Sequence, residues 1–225
     1  MRKKIIGIFL VMNIALLSLY GCSDKNSGKG SDTQSVEKEI VLSEESNFYK
    51  IGDLIENKNV NQENNSVEIE SCYTIRSATI YDTASEIEGI EDKIVDTEIC
   101  AGGNPQKPDV IEKNEILNKK FLCCDIEIKN VNDSLCNISK IGLAYKENGV
   151  CNFLSEPSYF SKSKNMLQGV YEYNLLPGQT MTAQIGWCVD ENLLQIENFD
   201  KKNLCLAIDY YGDEDVRKFV DLGLE

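Results

Sequence analysis

Phe121-Leu122-Cys123-Cys124-Asp125-Ile126-Glu127-Ile128-Lys129-Asn130-Val131 is the stretch that decides the fold of this chain. Apolar and polar residues alternate along it, which is the period of a half-buried β-strand. The inward face would carry Leu122, Cys124, Ile126 and Ile128. The outer face would carry Cys123, Asp125, Glu127 and Lys129. The pattern therefore predicts a strand with one face on a core and the other turned towards water.

Similar strand signals occur on both sides of this stretch. Residues 67–80 alternate in the same way, but their apolar phase slips after Arg76, which predicts a β-bulge. Asn148-Gly149 predicts a hairpin, because both residues tolerate positive φ. Leu176-Pro177-Gly178-Gln179 predicts a type II turn before a strand over residues 180–189. About seven to eight short strands, without a long helical period, predict an all-β antiparallel sandwich.

Composition restricts the function classes. The chain has 225 residues, 37 acidic and 23 basic, and a net charge of −14. Such a charge repels phosphates, so nucleic acid is excluded as a partner. The acidity is typical of a soluble surface, and the alternative is a cationic ligand. Histidine is absent, which removes the usual general base and the usual zinc ligand. We therefore predict no catalytic residues, no cofactor and no metal.

The N-terminus has the pattern of an export signal. Arg2, Lys3 and Lys4 precede an apolar run over residues 5–19, as in a secretory signal peptide. Leu19-Tyr20-Gly21-Cys22 resembles the lipobox of bacterial lipoproteins, although Tyr20 is bulkier than the usual residue there. The resemblance implies that the Cys22 thiol receives a diacylglycerol and that cleavage leaves Cys22 first. The alternative is a retained transmembrane helix over residues 5–21, a length at the lower limit for spanning a bilayer.

The domain organisation follows from these segments. Residues 1–21 are predicted to be a lipoprotein signal peptide, and loss of its three basic residues would lower the net charge from −14 to −17. Residues 22–47 are polar and predict a flexible tether, with Ile40–Leu42 as an alternative docking strand. Residues 48–225 form the predicted sandwich. The expected location is the extracytoplasmic face of the cell membrane, through the N-terminal lipid.

Four short motifs in this region resemble a known family. They are Tyr49-Lys50-Ile51-Gly52-Asp53, Phe121-Leu122 with Ile126–Asn130, Leu176–Gln179, and Leu206-Ala207-Ile208-Asp209-Tyr210-Tyr211. Together they resemble the telokin-like, immunoglobulin-fold extracellular domains of Gram-positive bacterial lipoproteins, most of which have no assigned function. This chain departs from them by a long acidic insertion at residues 82–119, part of which we expect to be mobile. The resemblance implies a fold and a location, and supplies no catalytic residues.

Eight cysteines follow Cys22, and they are Cys72, Cys100, Cys123, Cys124, Cys136, Cys151, Cys188 and Cys205. An even number in an exported domain is typical of disulfides, and free thiols are the alternative. No C-x-x-C motif occurs, so no zinc or thioredoxin-like site is predicted.

The resembled fold implies one possible disulfide. There, the strand starting at Phe121 pairs antiparallel with the strand ending near Val189, and Cys123 and Cys188 share the outer face. That arrangement would make the two near neighbours, able to bridge on oxidation. The rival is Cys124 with Cys205 through the core, as in antibody domains.

Three weaker sequence patterns remain, and their interpretations are as follows. Asp213-Glu214-Asp215 is typical of a solvated turn, with Ca²⁺ binding as the other interpretation. Gly102-Gly103 lacks the residues of a phosphate-binding loop and predicts a turn. Four aromatic residues could make an exposed recognition patch or pack on strand faces, and they are Tyr159, Phe160, Tyr171 and Tyr173.

Two hypotheses of function remain. The first is a lipid-anchored, non-catalytic binding module for an unknown surface protein, peptide or glycan. The second is a thiol-based redox protein or enzyme that uses the outward-facing cysteines. The second requires a thiol of depressed pKa, which a sequence does not show.

The tether hypothesis makes a direct prediction. Replacing Cys22 by Ser removes the thiol that would carry the lipid, so the variant should leave the membrane fraction. Fractionation of expressing cells measures this, with Cys72→Ser as a control that should stay at the membrane. Full membrane retention of Cys22→Ser would show that the lipobox assignment is wrong.

Overall fold

The computed structural model describes residues 47–61, 66–103, 108–137, 141–163, 174–208 and 217–225. The predicted signal peptide, Cys22 and the predicted tether up to residue 46 lie outside the described residues. Within them, no helix is long and apolar enough to cross a membrane.

Fourteen strands and two short helices are described. The first seven strands are β1 (Phe48–Lys50), β2 (Ile55–Asn61), β3 (Ser66–Tyr81), β4 (Thr97–Ile99), β5 (Asp109–Ile111), β6 (Phe121–Asn130) and β7 (Cys136–Asn137). The others are β8 (Ile141–Glu147), β9 (Val150–Ser155), β10 (Tyr159–Phe160), β11 (Asn174–Leu175), β12 (Thr180–Cys188), β13 (Leu204–Ile208) and β14 (Lys218–Asp221). The helices are α1 (Lys113–Ile116) and α2 (Glu191–Leu194).

The strands form two main sheets. The seven-stranded sheet has the order β1-β14-β13-β8-β9-β4-β5, and the five-stranded sheet has the order β10-β12-β6-β3-β2. β7 and β11 form a separate small ribbon. β1 runs parallel to β14, and the other described pairings are antiparallel. The predicted all-β sandwich is confirmed, with more strands than the seven to eight expected because many are only two or three residues long.

The inward faces of the long strands form the core. Leu122 and Ile126 of β6, with Trp187 of β12, are almost completely buried. They belong to one apolar cluster with Leu143 of β8 and Leu206 of β13 from the other sheet. Burial of side chains of this size stabilises the fold by about 1.5–3 kcal/mol each. The period of two therefore predicted the inward faces correctly.

The predicted turns are also confirmed. Asn148 (φ 51°) and Gly149 (φ 84°) connect β8 to β9 with two positive φ angles, as a type I′ hairpin requires. Gly178 has φ 71°, and the Gln179 N–H donates to the Leu176 carbonyl at 2.9 Å, as expected at a type II turn. In β3, the register against β6 shifts between Ile75 and Ser77, which is the predicted bulge.

Most of the acidic segment 82–119 has described structure. This segment contributes β4 and β5 to the seven-stranded sheet, and it contains α1. Its isoleucines at positions 90, 94, 99 and 116 are each 3% exposed or less. Core side chains are therefore scattered among the acidic residues of this segment. The expectation that part of it is mobile stays a prediction. Residues 104–107 lie outside the described residues.

A pair of substitutions tests the packing of this segment. Ile116→Ala removes a fully buried side chain and should lower the free energy of unfolding by about 2–5 kcal/mol. Val110→Ala, at a position 62% exposed, should change it by about 0.5 kcal/mol or less. Urea unfolding followed by the fluorescence of the single tryptophan measures both. Equal stability of the two variants would contradict the packing described above.

A candidate binding face around Asp125

The outer face of the five-stranded sheet is divided into two halves. Its covered half carries Phe121, Cys123 and Cys188, which are at most 5% exposed although they point away from the core. Its open half carries Asp125, which is exposed. Because β6 runs through the centre of the sheet, both halves lie along the same strand.

The segment 82–120 accounts for the covered half. Its buried isoleucines belong to the same apolar cluster as Phe121, Cys123 and Cys188, a cluster that also includes the core between the sheets. Hydrogen bonds hold the segment in place: the Val189 N–H donates to the Lys120 carbonyl at 2.9 Å, and Ile94 bridges to Tyr159. This end of the outer face is therefore buried, although the alternating sequence pattern predicted that it would be exposed to water.

A glycine allows the covered half to pack closely. Gly186 lies between Tyr159 of β10 and Cys123 of β6 in one row across the sheet. A Cβ at Gly186 would meet Cε1 of Phe121 at 2.2 Å. The Phe121 ring therefore occupies the space that a side chain at position 186 would need.

The open half is organised around the Asp125 carboxylate. Ser77 Oγ of β3 donates to Asp125 Oδ2 at 2.6 Å, and Gln184 Nε2 of β12 donates to Asp125 Oδ1 at 3.2 Å. Both partners stand directly opposite Asp125 in the register. Three adjacent strands thus hold the two carboxylate oxygens in fixed positions.

The β3 bulge makes this arrangement possible. Ile75 faces Ile126 on the core side, and strict alternation would send Ser77 to the core as well. The extra residue, Arg76, lets Ser77 face Asp125 instead. Arg76 Nη2 then pairs with Glu127 Oε1 at 3.0 Å, with the two side chains 54% and 34% exposed. An exposed pair of this kind contributes little to stability.

These five residues, Arg76, Ser77, Asp125, Glu127 and Gln184, are called the Asp125 face below. They offer a guanidinium, two carboxylates, an amide and a hydroxyl on strands of one sheet. Groups placed on strands are held more rigidly than groups on loops. The arrangement suits hydrogen bonding to a polar ligand. The sequence predicted the bulge. It did not predict the contacts of Asp125 with Ser77 and Gln184, because these depend on the order of the strands in the sheet.

The predicted pair Cys123 and Cys188 is placed differently from expectation. β6 and β12 do pair antiparallel, but Cys123 stands opposite Gly186, and Cys188 stands opposite Phe121. The two cysteines are therefore diagonal neighbours, and such residues lie about 7–8 Å apart, beyond the reach of an unstrained bridge. Both are free thiols. The two cysteines thus share one face of neighbouring strands, as expected, but are offset by two residues of register.

Both thiols are also poor nucleophiles. Burial, helped by the charge of Asp125, raises the pKa of Cys123 to about 12. Burial raises the pKa of Cys188 to about 11. At neutral pH the reactive thiolate form is therefore scarce. The prediction that these cysteines face water was wrong because the segment 82–120 covers them.

The rival pair is not brought together either. Cys124 belongs to the main core, whereas Cys205 belongs to a small separate cluster on the seven-stranded sheet. There, Cys205 Sγ lies 3.8 Å from Cys151 Sγ. Sequence reasoning missed this contact, because it depends on the order of β9, β8 and β13.

The remaining sequence candidates have mixed outcomes. Tyr159 and Phe160 are buried, at 3% and 0% exposed, so they do not form an exposed patch. Tyr171, Tyr173 and the acidic residues 213–215 lie outside the described residues. Among the residues that are described, no group of three or more cysteine, aspartate or glutamate side chains is arranged to hold a metal ion.

A family profile described as a domain of unknown function, DUF5027, matches residues 61–224. The chain belongs to the DUF5027 family. The matched region contains the Asp125 face and all eight cysteines after Cys22. Membership of a family without assigned function is as expected, whereas the telokin-like assignment and the lipoprotein setting stay predictions.

Other comparisons add little to the DUF5027 assignment. The crystal structure of the yjhA protein from Bacillus subtilis is similar to this chain at 10% sequence identity, with a TM-score of 0.41. The similarity covers 77% of this chain and 98% of yjhA. None of the curated proteins matches this chain.

Thiol accessibility gives a test of the covered half. Cys123 and Cys188 should resist an aromatic disulfide reagent at pH 8 and react only after denaturation, because burial keeps them protonated. Cys72, which is less buried, should react faster and serves as the reference. The labelled positions are read by peptide mass spectrometry. Labelling of Cys123 in the native protein as fast as Cys72 would refute the covered arrangement.

Proposed function

We propose that this protein is a lipid-anchored, non-catalytic binding module on the extracytoplasmic face of the cell membrane, with an immunoglobulin-like sandwich as its scaffold. The anchor is Cys22. The ligand is a polar molecule of the cell exterior, either a glycan, a peptide or a surface protein. The binding surface is the Asp125 face.

The observation that carries the proposal is the fixed Asp125 carboxylate. Its two oxygens accept hydrogen bonds from Ser77 and Gln184 of the neighbouring strands, yet the residue is exposed. A carboxylate has about four acceptor positions, so both oxygens can still bind an incoming donor. The groups are positioned before the ligand arrives, which lowers the entropy cost of binding.

The surrounding charges support a neutral polar ligand. Two carboxylates and one guanidinium leave the Asp125 face with one net negative charge, and the whole chain carries −14. Anionic ligands are therefore disfavoured. The face offers both donors and acceptors, as hydroxyl and amide groups of a glycan or an extended peptide require.

The second hypothesis, a thiol-based redox protein, receives support from one residue. Cys151 has a lowered pKa, because the Cys205 thiol donates a hydrogen bond to it. The thiols named for that role, Cys123 and Cys188, are buried and have raised pKa values. The binding module is therefore the better supported of the two.

Ligand binding by the Asp125 face can be measured with the full chain. Purified peptidoglycan and an immobilised glycan array are the probes, and Asp125→Ala is the test variant. We expect at least a tenfold loss of binding, since the substitution removes the central acceptor. Gln184→Ala should weaken binding less, because it leaves the carboxylate in place.

A matched control separates the face from general acidity. Glu98→Ala removes an exposed carboxylate from β4 of the other sheet and should leave binding unchanged. Equal loss in Asp125→Ala and Glu98→Ala would assign the effect to net charge. If Asp125→Ala binds the probes as tightly as the wild type does, the ligand binds elsewhere and the proposed surface is wrong.

A further inference from the structure

A second cluster of side chains lies on the outer face of the seven-stranded sheet. Cys151 of β9 and Cys205 of β13 are 6% and 3% exposed. They pack with Ala144, Ala207 and Phe219, apart from the main core. The cluster contains two sulfur atoms 3.8 Å apart, and Cys205 donates the hydrogen bond that joins them.

Small residues bring the two thiols together. β8 lies between β9 and β13, and its Ala144 stands opposite Cys205. The alanine methyl leaves room above β8, so the thiols from either side can meet there. A larger side chain at position 144 would separate them.

A disulfide does not fit this pair. Strands two positions apart in a sheet are about 9.5 Å apart, whereas a disulfide requires Cα atoms within about 4.4–6.8 Å. The sulfurs would also have to approach from 3.8 Å to about 2.05 Å. The two thiols therefore stay reduced unless the sheet is broken.

The same spacing fits a single metal ion held by both sulfurs. With metal–sulfur bonds of about 2.3 Å, two sulfurs on one ion lie about 3.8 Å apart at a tetrahedral angle and about 4.6 Å apart in a line. The observed 3.8 Å lies at the lower end of this range. Only a small side-chain adjustment is needed to reach any angle within it.

The ligand set selects a soft monovalent ion. The described residues supply no third cysteine, aspartate or glutamate in a group with this pair, and the chain has no histidine. Zinc in a structural site requires four ligands. Thiolates favour Cu(I), and Cu(I) can be two-coordinate with two sulfur ligands.

The charge of the site also suits Cu(I). One Cu(I) with two thiolates carries a single negative charge, and Lys146 supplies a positive charge nearby. Lys146 faces Cys151 in the register, and its Nζ lies 4.4 Å from the centre of the Phe48 ring.

We propose that Cys151 and Cys205 form a Cu(I)-binding site on the outer face of the seven-stranded sheet. Binding forms two copper–sulfur bonds and releases the protons of both thiols, with no change of oxidation state. The site is independent of the Asp125 face, which lies on the other sheet.

Anaerobic titration of the reduced full chain tests the site. Bicinchoninate-bound Cu(I) is the probe, because the chelator loses its colour when the protein removes the ion. We expect transfer of one tight equivalent, and at least about a hundredfold weaker binding in Cys151→Ser and in Cys205→Ser. Cys123→Ser is the matched control for a buried thiol and should bind as the wild type does.

Two further measurements keep the test decisive if a cysteine variant fails to fold. X-ray absorption of the wild-type complex should show two sulfur neighbours per copper. Lys146→Gln, at an exposed position, should weaken binding several-fold, while Lys146→Arg should not. Copper that stays with the chelator, a sulfur count of three or more, or binding unaffected by both cysteine substitutions would overturn the proposal. Tighter retention of Zn²⁺ than of Cu(I) would do the same.

Discussion

The packing of the segment 82–120 over one end of the five-stranded sheet is the contact on which the rest of the structure depends. Without it, Phe121, Cys123 and Cys188 would lie on a solvent-facing sheet surface. With it, they are buried together with isoleucines from that segment. Burial of these apolar groups stabilises the sandwich beyond its central core. The same packing leaves the Asp125 end of the sheet open.

This division gives one strand two chemical environments. Along β6, Cys123 is buried and its thiol has a strongly raised pKa, whereas Asp125, two residues later, is exposed and hydrogen-bonded on both oxygens. The difference comes from what covers each residue and not from the strand itself. An exposed, hydrogen-bonded carboxylate and a buried, unreactive thiol therefore lie side by side.

The distribution of cysteines follows the same logic. Cys124 is buried in the core, Cys123 and Cys188 are covered by the segment 82–120, and Cys151 and Cys205 lie 3.8 Å apart in a cluster that includes Ala144. In the first three positions burial keeps the thiol neutral and protonated. At the last pair a neighbouring thiol and Lys146 favour ionisation of Cys151. A domain with many cysteines can thus have thiols of very different character without forming a disulfide among its described residues.

The sequence by itself determined the local features. The alternating pattern predicted which faces of β6 and β12 point to the core. Asn148-Gly149 predicted the turn between β8 and β9, and Pro177-Gly178 predicted the turn before β12. The phase slip after Arg76 predicted the bulge in β3. Each depends on residues close in the chain, whose φ angles and side-chain directions follow from local sterics. Only the tertiary structure decided that Ser77, Asp125 and Gln184 meet, that Cys123 stands opposite Gly186, and that Cys151 lies against Cys205. Those contacts depend on strand order, register and the course of the segment 82–120, which are set by packing between residues far apart in the chain.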